Sequence, residues 1–295
     1  MIITENKPKS TISRPDYIAE NHWEEWVKSG VNPSIIADNI YTELDARELD
    51  KALERNNKRR WKHSDNLVPA WVVRGVNPIS GEKEFLGIQA KPDNPENRDG
   101  RIQKYLGASG YEAAPLFLMM EDYDYWIKII QDLSIPIIIT EGAKKAACLL
   151  SNGYAAISIP GVSTCRKKGK LNKLINKFCG FGRTFYLCFD NDIVTKRPVQ
   201  LALEGLARDL SATGSKVMVI SLPEGDAKGA DDYIAANSAE AFKSLITHAS
   251  TIEEWKDDND LSWAAKREQI KKKKQSKLAR AIESIRTAWG DFLRW

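Results

Sequence analysis

The chain contains the segment Ile135-Pro-Ile-Ile-Ile-Thr-Glu141-Gly142-Ala-Lys144-Lys145. A short β-branched run predicts a buried strand, and the acid and glycine at its end mark the start of a helix. Further runs of this kind at 155–159, 184–189 and 216–222 alternate with helical patterns. This alternation indicates a parallel sheet with crossover helices, hence an α/β domain, and it places Glu141 at the carboxyl end of a strand.

Two more acidic segments follow predicted strands of this sheet. Phe185-Tyr-Leu-Cys-Phe-Asp190-Asn-Asp192 ends one strand, and Lys228-Gly-Ala-Asp231-Asp232 follows the next. The carboxyl ends of parallel strands are where open α/β sheets place their sites, and clustered carboxylates need a cation to offset their repulsion. Oxygen ligands without His or Cys favour Mg²⁺ or Mn²⁺ over zinc. We therefore expect a divalent metal site formed by Glu141, Asp190, Asp192 and Asp231.

Each acidic segment also has another interpretation. Glu141 could be an acid that favours the dipole of the following helix, and Asp231 could cap a helix. The Asp190-Asn-Asp192 segment also fits the nucleophile strand of haloacid-dehalogenase-type phosphatases, in which the first Asp is phosphorylated. That phosphatase interpretation leaves Glu141 unexplained.

The first 118 residues have a different pattern. Two runs with a period of two flank the turn-forming segment Asn77-Pro-Ile-Ser-Gly81 and predict a β-hairpin over residues 69–91. Helices are predicted near 16–29 and 45–56. We divide the chain into four parts: a flexible arm (1–15), an α+β subdomain (16–118), the α/β domain (119–250), and a linker with a basic amphipathic helix (251–295).

The distribution of basic residues and the length of the apolar runs limit the kinds of partner that the protein can bind. The net charge is only +4, but residues 166–183 carry seven basic and no acidic side chains, which indicates a local positive field. Apolar runs such as Ile135–Ile139 fall far short of the roughly 20 residues that a membrane span needs, and the amino terminus lacks a secretory pattern. We expect a cytoplasmic protein that does not bind membranes.

Residues 135–248 resemble a Toprim domain, the catalytic module of bacterial-type primases, of type IA and II topoisomerases and of related nucleases. The strand followed by Glu141-Gly142, the Asp190-Asn-Asp192 segment and the Lys228-to-Asp232 segment carry this resemblance. It implies that Glu141 acts in proton transfer or metal binding and that Asp190 and Asp192 ligate Mg²⁺, so these three are the candidate catalytic residues.

Among proteins with Toprim domains, the residues of the predicted hairpin favour a resemblance to primases. Arg74, the Gly87-Ile-Gln-Ala-Lys91 segment and Lys104-Tyr105-Leu106 resemble the primase strands and loop that line the template path. This implies that Arg74, Lys91 and Lys104 contact single-stranded DNA. The span from Asn21 to Trp255 also resembles the Toprim-containing amino-terminal part of cyanobacterial plasmid replication proteins.

The resemblance implies a primase-like, Mg²⁺- or Mn²⁺-dependent nucleotidyltransferase that uses nucleoside triphosphates and acts on single-stranded DNA in plasmid or phage replication, with a replicative helicase or replication complex as a candidate partner. The expected phosphate-binding residues are Gly142, Lys144, Lys145, Gly161 and Lys228. Further DNA contacts are expected from Arg166, Lys167, Lys168 and Lys170. Two alternatives stay open: a Toprim-type nuclease, and a non-catalytic DNA-binding replication module.

Overall fold

A computed structural model describes residues 12–55, 65–98, 100–109, 113–161, 166–167, 170–259 and 276. The chain divides into two compact units, Met1–Ile252 and Glu253–Trp295. In the second unit, residues 253–259 are helical, and most of the predicted basic helix lies outside the described residues. Residues 1–11 of the predicted arm also lie outside them.

The helices and strands follow one another much as the sequence predicts. The helices are α1 (Glu20–Lys28), α2 (Pro33–Asn39), α3 (Ala46–Ala52), α4 (Tyr125–Gln131), α5 (Ala143–Ser151), α6 (Lys173–Asn176), α7 (Arg197–Ser211), α8 (Ala230–Ala236) and α9 (Ala239–Thr247). The strands are β1 (Ile40–Glu43), β2 (Ala70–Val76), β3 (Lys83–Pro92), β4 (Asn97–Arg98), β5 (Arg101–Ile102), β6 (Ile137–Glu141), β7 (Ala155–Ile159), β8 (Arg166–Lys167), β9 (Lys170–Leu171), β10 (Thr184–Cys188), β11 (Lys216–Ile220) and β12 (Ser250–Thr251).

The larger sheet has the order β12-β11-β10-β6-β7. Strands β7, β6, β10 and β11 are parallel, which confirms the predicted α/β fold class, and β12 adds an antiparallel edge. The sequence did not predict β12 because a two-residue strand carries no periodic pattern.

Apolar side chains from both faces of this sheet build its core. On α7, Leu203, Leu206 and Leu210 are fully buried, as their spacing of three and four residues predicts. Each buried leucine contributes roughly 1.5–3 kcal/mol through the hydrophobic effect.

The amino-terminal part forms a second, antiparallel sheet in the order β1-β2-β3. Strands β2 and β3 pair as the predicted hairpin. Helix α2 and strand β1 were not predicted, because the chain passes from helix to strand at Ile40 without a turn residue. Helix α3 begins as predicted, since the Asp45 carboxylate accepts hydrogen bonds from the backbone N–H groups of Arg47 and Glu48.

One basic residue of the 166–183 segment belongs to the core. Arg183 is 0% exposed, and its guanidinium donates hydrogen bonds to the backbone carbonyls of Phe178, Asp132, Ile135 and Ile129. These bonds satisfy carbonyl groups where the chain enters β6 and β10, at the amino ends of the parallel strands. Arg183 is therefore a structural residue.

The helices of the described segments are too short or too polar to span a bilayer.

Candidate active site

The acidic residues collect at the carboxyl edge of the parallel sheet, which we call the acidic edge. Glu141 is the last residue of β6, and Cys188 of β10 pairs with Thr140, so Asp190 leaves the neighbouring strand beside Glu141. Asp192 lies in the 3-10 turn Asn191–Thr195 that follows. Asp231 lies in the first turn of α8, after β11.

A lysine occupies the centre of the acidic edge. The Nζ atom of Lys145 lies 2.5 Å from Oδ1 of Asp190. Burial opposes the charged form of Lys145, but the negative charges of Asp190, Asp231 and Glu141 outweigh it and raise the pKa of Lys145 above its usual value. The ammonium group therefore stays protonated at neutral pH and offsets the charge of several carboxylates.

Two carboxylates near Lys145, those of Glu141 and Asp231, have raised pKa values. Desolvation raises the pKa of Glu141, Lys145 opposes this, and Asp190 and Asp192 add to it. Asp231 is 4% exposed, and burial raises its pKa against the pull of Lys145. Its Oδ1 atom is buried and accepts no hydrogen bond from the described residues. Buried oxygens without a partner are rare and often mark a functional site.

The carboxylates of the acidic edge are suitable ligands for a divalent metal ion, but their positions in this structure do not form a metal site. The donors are carboxylate oxygens, as Mg²⁺ and Mn²⁺ prefer, and one of them, on Asp231, lacks a partner. However, no three acidic, His or Cys side chains of the described segments are grouped to hold a metal ion. Instead, Lys145 contacts Asp190, and Lys196 Nζ lies 2.6 Å from Asp192 Oδ2. The predicted metal ligands stay a prediction.

Asn191, between the two aspartates, fixes this loop. Its side-chain amide donates to the carbonyl oxygens of Pro223 (2.9 Å) and Gly225 (3.1 Å), and its backbone N–H donates to Lys228 O (2.9 Å). The loop after β10 is thereby tied to the loop that precedes Asp231. Sequence analysis did not single out Asn191, although it lies inside the quoted Asp-Asn-Asp segment.

Two glycines of the acidic edge have different surroundings. Gly142 has φ +96°, a conformation that side chains disfavour, and a Cβ there would meet open space. Gly229 is crowded instead, because a Cβ would overlap the Lys145 side chain and lie 2.7 Å from Asp231 Oδ1. Gly229 therefore leaves room for the lysine that contacts Asp190.

A second cluster joins the amino-terminal sheet to α5, and we call it the Glu25 cluster. Glu25 on α1 accepts from Lys91 (2.7 Å), Lys144 (2.8 Å) and the Trp71 indole N–H (3.1 Å). Burial opposes ionisation of Glu25, but the hydrogen bonds and charges of Lys144 and Lys91 outweigh it and lower its pKa. Two predicted ligand-binding lysines are therefore held by an acid that sequence analysis missed.

The other predicted DNA and phosphate contacts are scattered. Arg74 points to the opposite face of the hairpin from Trp71 and Lys91, because side chains alternate along β2, and it lines a pocket with Tyr41. Lys104 is exposed. The structure does not bring Arg74 and Lys91 together.

The remaining predicted contacts divide between the two ends of the sheet. Gly161 follows β7 at the acidic edge, and the exposed Lys228 precedes Asp231 there. Arg166 forms an ion pair with Asp209 on α7 (2.5 Å), and Lys170 lies in the neighbouring strand β9. The Lys167 side chain and Lys168 lie outside the described residues.

Comparisons with solved structures identify the fold. The zinc-binding and RNA polymerase domains of the Aquifex aeolicus primase align with 79% of this chain and 56% of theirs, at 16% identity and a TM-score of 0.53. A DnaG primase catalytic domain bound to single-stranded DNA aligns with 78% of this chain and 72% of its own, at 15% identity and a TM-score of 0.51. The fold is that of a primase catalytic core.

Two sequence relationships accompany this primase-core fold. Residues 125–241 match a family described as a domain of unknown function, DUF3854. An uncharacterized protein of Picosynechococcus sp. strain PCC 7002 is 29% identical over 84% of this chain. The chain spans 29% of the length of that relative and 56% of the length of the Aquifex primase structure.

Proposed function

We propose that the protein is a primase-like nucleotidyltransferase that acts on single-stranded DNA. The observation that carries this proposal is the acidic edge, where Glu141, Asp190 and Asp231 surround the charged Lys145 in a fold shared with primase catalytic cores. The similarity to a primase domain bound to single-stranded DNA supports the choice of template. On this proposal, residues 119–250 are a Toprim domain.

The basic residues of α5 act on the substrate in this proposal. Lys145 contacts Asp190, and its neighbour Lys144, in the same first turn of α5, is held by Glu25 on α1. In the substrate complex, these lysines and Gly142, Gly161 and Lys228 bind the triphosphate. Glu141, whose pKa is raised, is the candidate for holding or moving a proton at the attacking hydroxyl.

Asp190 and Asp192, with Glu141 and Asp231, are the groups that would hold Mg²⁺ or Mn²⁺. When bound, such an ion neutralises charge on the phosphates. If the ion bound through Asp190 Oδ1 and Asp192 Oδ2, it would displace Lys145 and Lys196 from these oxygens. These ammonium groups are then free to pair with the substrate phosphates.

The biological setting is part of the same proposal. We propose a role in plasmid or phage replication in the cytoplasm, with a replicative helicase or replication complex as partner. The resemblance to plasmid replication proteins supports this setting.

A primer-synthesis assay tests the proposal. The protein is incubated with single-stranded DNA, labelled nucleoside triphosphates and Mg²⁺ or Mn²⁺, and wild type is compared with Asp190→Asn. We expect wild type to make oligonucleotides and Asp190→Asn to lose at least about 100-fold of the rate, since loss of a group that stabilises developing charge typically costs this much. Lys243→Ala, an exposed change on α9, is the control.

Two other outcomes of this assay would contradict the proposed nucleotidyltransferase. Strand cleavage that depends on Asp190 would indicate the Toprim-type nuclease. Synthesis by Asp190→Asn at the wild-type rate would contradict the proposed site.

A non-catalytic DNA-binding module is the second candidate, and one observation favours it. Lys145 and Lys196 form ion pairs with Asp190 and Asp192 and offset the charge of both carboxylates. Product formation separates the two functions: for the enzyme, wild type makes product, and Glu141→Gln keeps DNA affinity but ends product formation. For the binding module, wild type makes no product although it binds DNA.

A further inference from the structure

A basic groove lies beside the carboxyl-terminal part of α7, and we call it the lysine groove. It has a volume of about 520 Å³ and is lined by Lys170, Leu171, Lys173, Asn176, Lys177, Asp209, Ala212 and Thr213. Strand β9 and helix α6 form one wall, and the end of α7 forms the other. The three lysines are exposed.

The lysine groove is separate from the acidic edge. Helix α7 starts after Asp192, at the carboxyl ends of the strands, and returns the chain to the amino end of β11. Its 15 residues rise about 20 Å at 1.5 Å per residue. Asp209, Ala212 and Thr213 at its far end therefore lie towards the opposite edge of the sheet.

The charge of the lysine groove is not neutralised from within. Among its described lining residues the one carboxylate is that of Asp209, which forms an ion pair with Arg166 (2.5 Å). The described residues provide no acidic partner within 4.0 Å for Lys170, Lys173 or Lys177, whereas Lys144 and Lys145 both have one. Three ammonium groups therefore share an open concave surface on which the described part of the chain places no counter-charge at contact distance.

We propose that the lysine groove binds the phosphodiester backbone of nucleic acid, as a second contact surface in addition to the acidic edge. The choice of nucleic acid as the polyanion rests on the proposed function. Lysines are point charges that bind phosphates without reading sequence, which suits a surface that holds a strand.

The lining favours nucleic acid over an acidic protein. Protein interfaces depend on aromatic and other apolar anchors at their centre. The exposed large apolar residues of the described segments do not include any lining residue of the groove.

Salt-dependent DNA binding tests the proposal. Fluorescence anisotropy is measured with labelled single-stranded oligothymidylate and, separately, with a duplex, between about 50 and 200 mM salt. The groove variant carries Lys170→Ala, Lys173→Ala and Lys177→Ala. The control carries Lys28→Ala, Lys51→Ala and Lys243→Ala, which remove the same charge from exposed lysines on other helices. Thermal unfolding by circular dichroism verifies that both variants are folded.

We expect a smaller salt dependence for the groove variant, that is, a shallower slope in a plot of the logarithm of the DNA-binding constant against the logarithm of the salt concentration. Three lost phosphate contacts correspond to a decrease of about 2 for single strands and about 2.7 for a duplex, with at least about 10-fold weaker binding at the lowest salt. The substrate that shows the decrease identifies the strand form that the groove holds.

Equal slopes and affinities for the groove variant and the control would overturn the proposal and leave an acidic protein surface as the partner class. If wild type binds neither DNA, the proposed function fails together with the groove. If wild type binds and the groove variant matches the control, only the groove proposal fails.

Discussion

The two edges of the parallel sheet use lysine differently. At the acidic edge and in the adjoining Glu25 cluster, Lys145, Lys196, Lys91 and Lys144 all contact carboxylates. In the lysine groove, at the opposite edge, the lysines have no acidic contact partner among the described residues. The same residue type therefore balances local charge at one edge and leaves a positive surface at the other.

In the two proposals, this difference corresponds to two modes of ligand binding. Ligands at the acidic edge must compete with existing ion pairs, so their binding depends on exchange of partners. A polyanion bound in the lysine groove, as proposed, would release counterions and break no ion pair that its three lysines form with the described residues. Basic residues in a sequence do not distinguish these situations, because the distinction depends on which acids lie nearby in the fold.

The largest effect is expected at Arg183, the one residue of the basic segment with a fully buried guanidinium. Arg183→Met leaves several buried carbonyl groups without donors and should lower the free energy of unfolding by about 3 kcal/mol or more. Lys177→Ala, in the same segment but exposed, should change it by less than about 0.5 kcal/mol. Urea denaturation measures both, and similar losses would contradict the division of this segment into structural and ligand-binding residues.

Gly229→Ala should disturb the acidic edge next most strongly. The added methyl group overlaps the Lys145 side chain and forces it away from Asp190. We expect a loss of about 1–3 kcal/mol in stability and of about 100-fold in product formation, because displacements of this size disturb catalytic geometry.

Gly107→Ala is the matched control for this change, since its Cβ would lie 3.8 Å from the nearest atom, Ile88 O. If Gly229→Ala and Gly107→Ala gave equal rates in the primer-synthesis assay, the position of Lys145 would be irrelevant to activity.

Glu25→Gln should have a moderate, pH-dependent effect on stability. Because Lys144 and Lys91 lower the pKa of Glu25 against the effect of burial, the folded state favours the ionised carboxylate. This stabilisation is present above about pH 4.3, the value for an unfolded Glu, and is lost as the pH falls through the lower folded value.

The expected difference between wild type and Glu25→Gln is about 1–2 kcal/mol at pH 7, decreasing towards pH 3. Urea denaturation across this range measures it. A difference that is constant with pH would show that Glu25 is not held by charge.

Lys196→Ala should have the smallest effect. Its ion pair with Asp192 joins exposed side chains, and such pairs contribute little in water. We expect a change in unfolding free energy below about 0.5 kcal/mol. A loss as large as that of Glu25→Gln would place Asp192 in a more buried network than its exposure indicates.

The sequence predicted the parallel strands and the acidic edge because both depend on local patterns. Strand β7 has the predicted bounds, and the acids lie at the end of β6, just after β10 and in the first turn of the helix that follows β11. Membership of the fold class follows from the alternation of helices and strands, so it could be derived without contacts.

The Glu25 cluster could not be predicted in this way. Glu25 lies 66 residues from Lys91 in sequence, and no periodicity or motif connects them. For the same reason, the basic segment could not be divided in advance into the core residue Arg183, the paired Arg166 and the exposed lysines. These roles arise from packing between α4, α7 and the sheet.

Manganese binding followed by electron paramagnetic resonance tests the central claim, that the acidic edge holds a divalent cation once its lysines are displaced. We expect wild type to bind Mn²⁺ in competition with Mg²⁺, and Asp190→Asn to bind at least about 10-fold more weakly because it loses a charged oxygen ligand. Lys243→Ala should bind as wild type does. Equal Mn²⁺ affinity in wild type and Asp190→Asn, or no binding by wild type, would contradict the account.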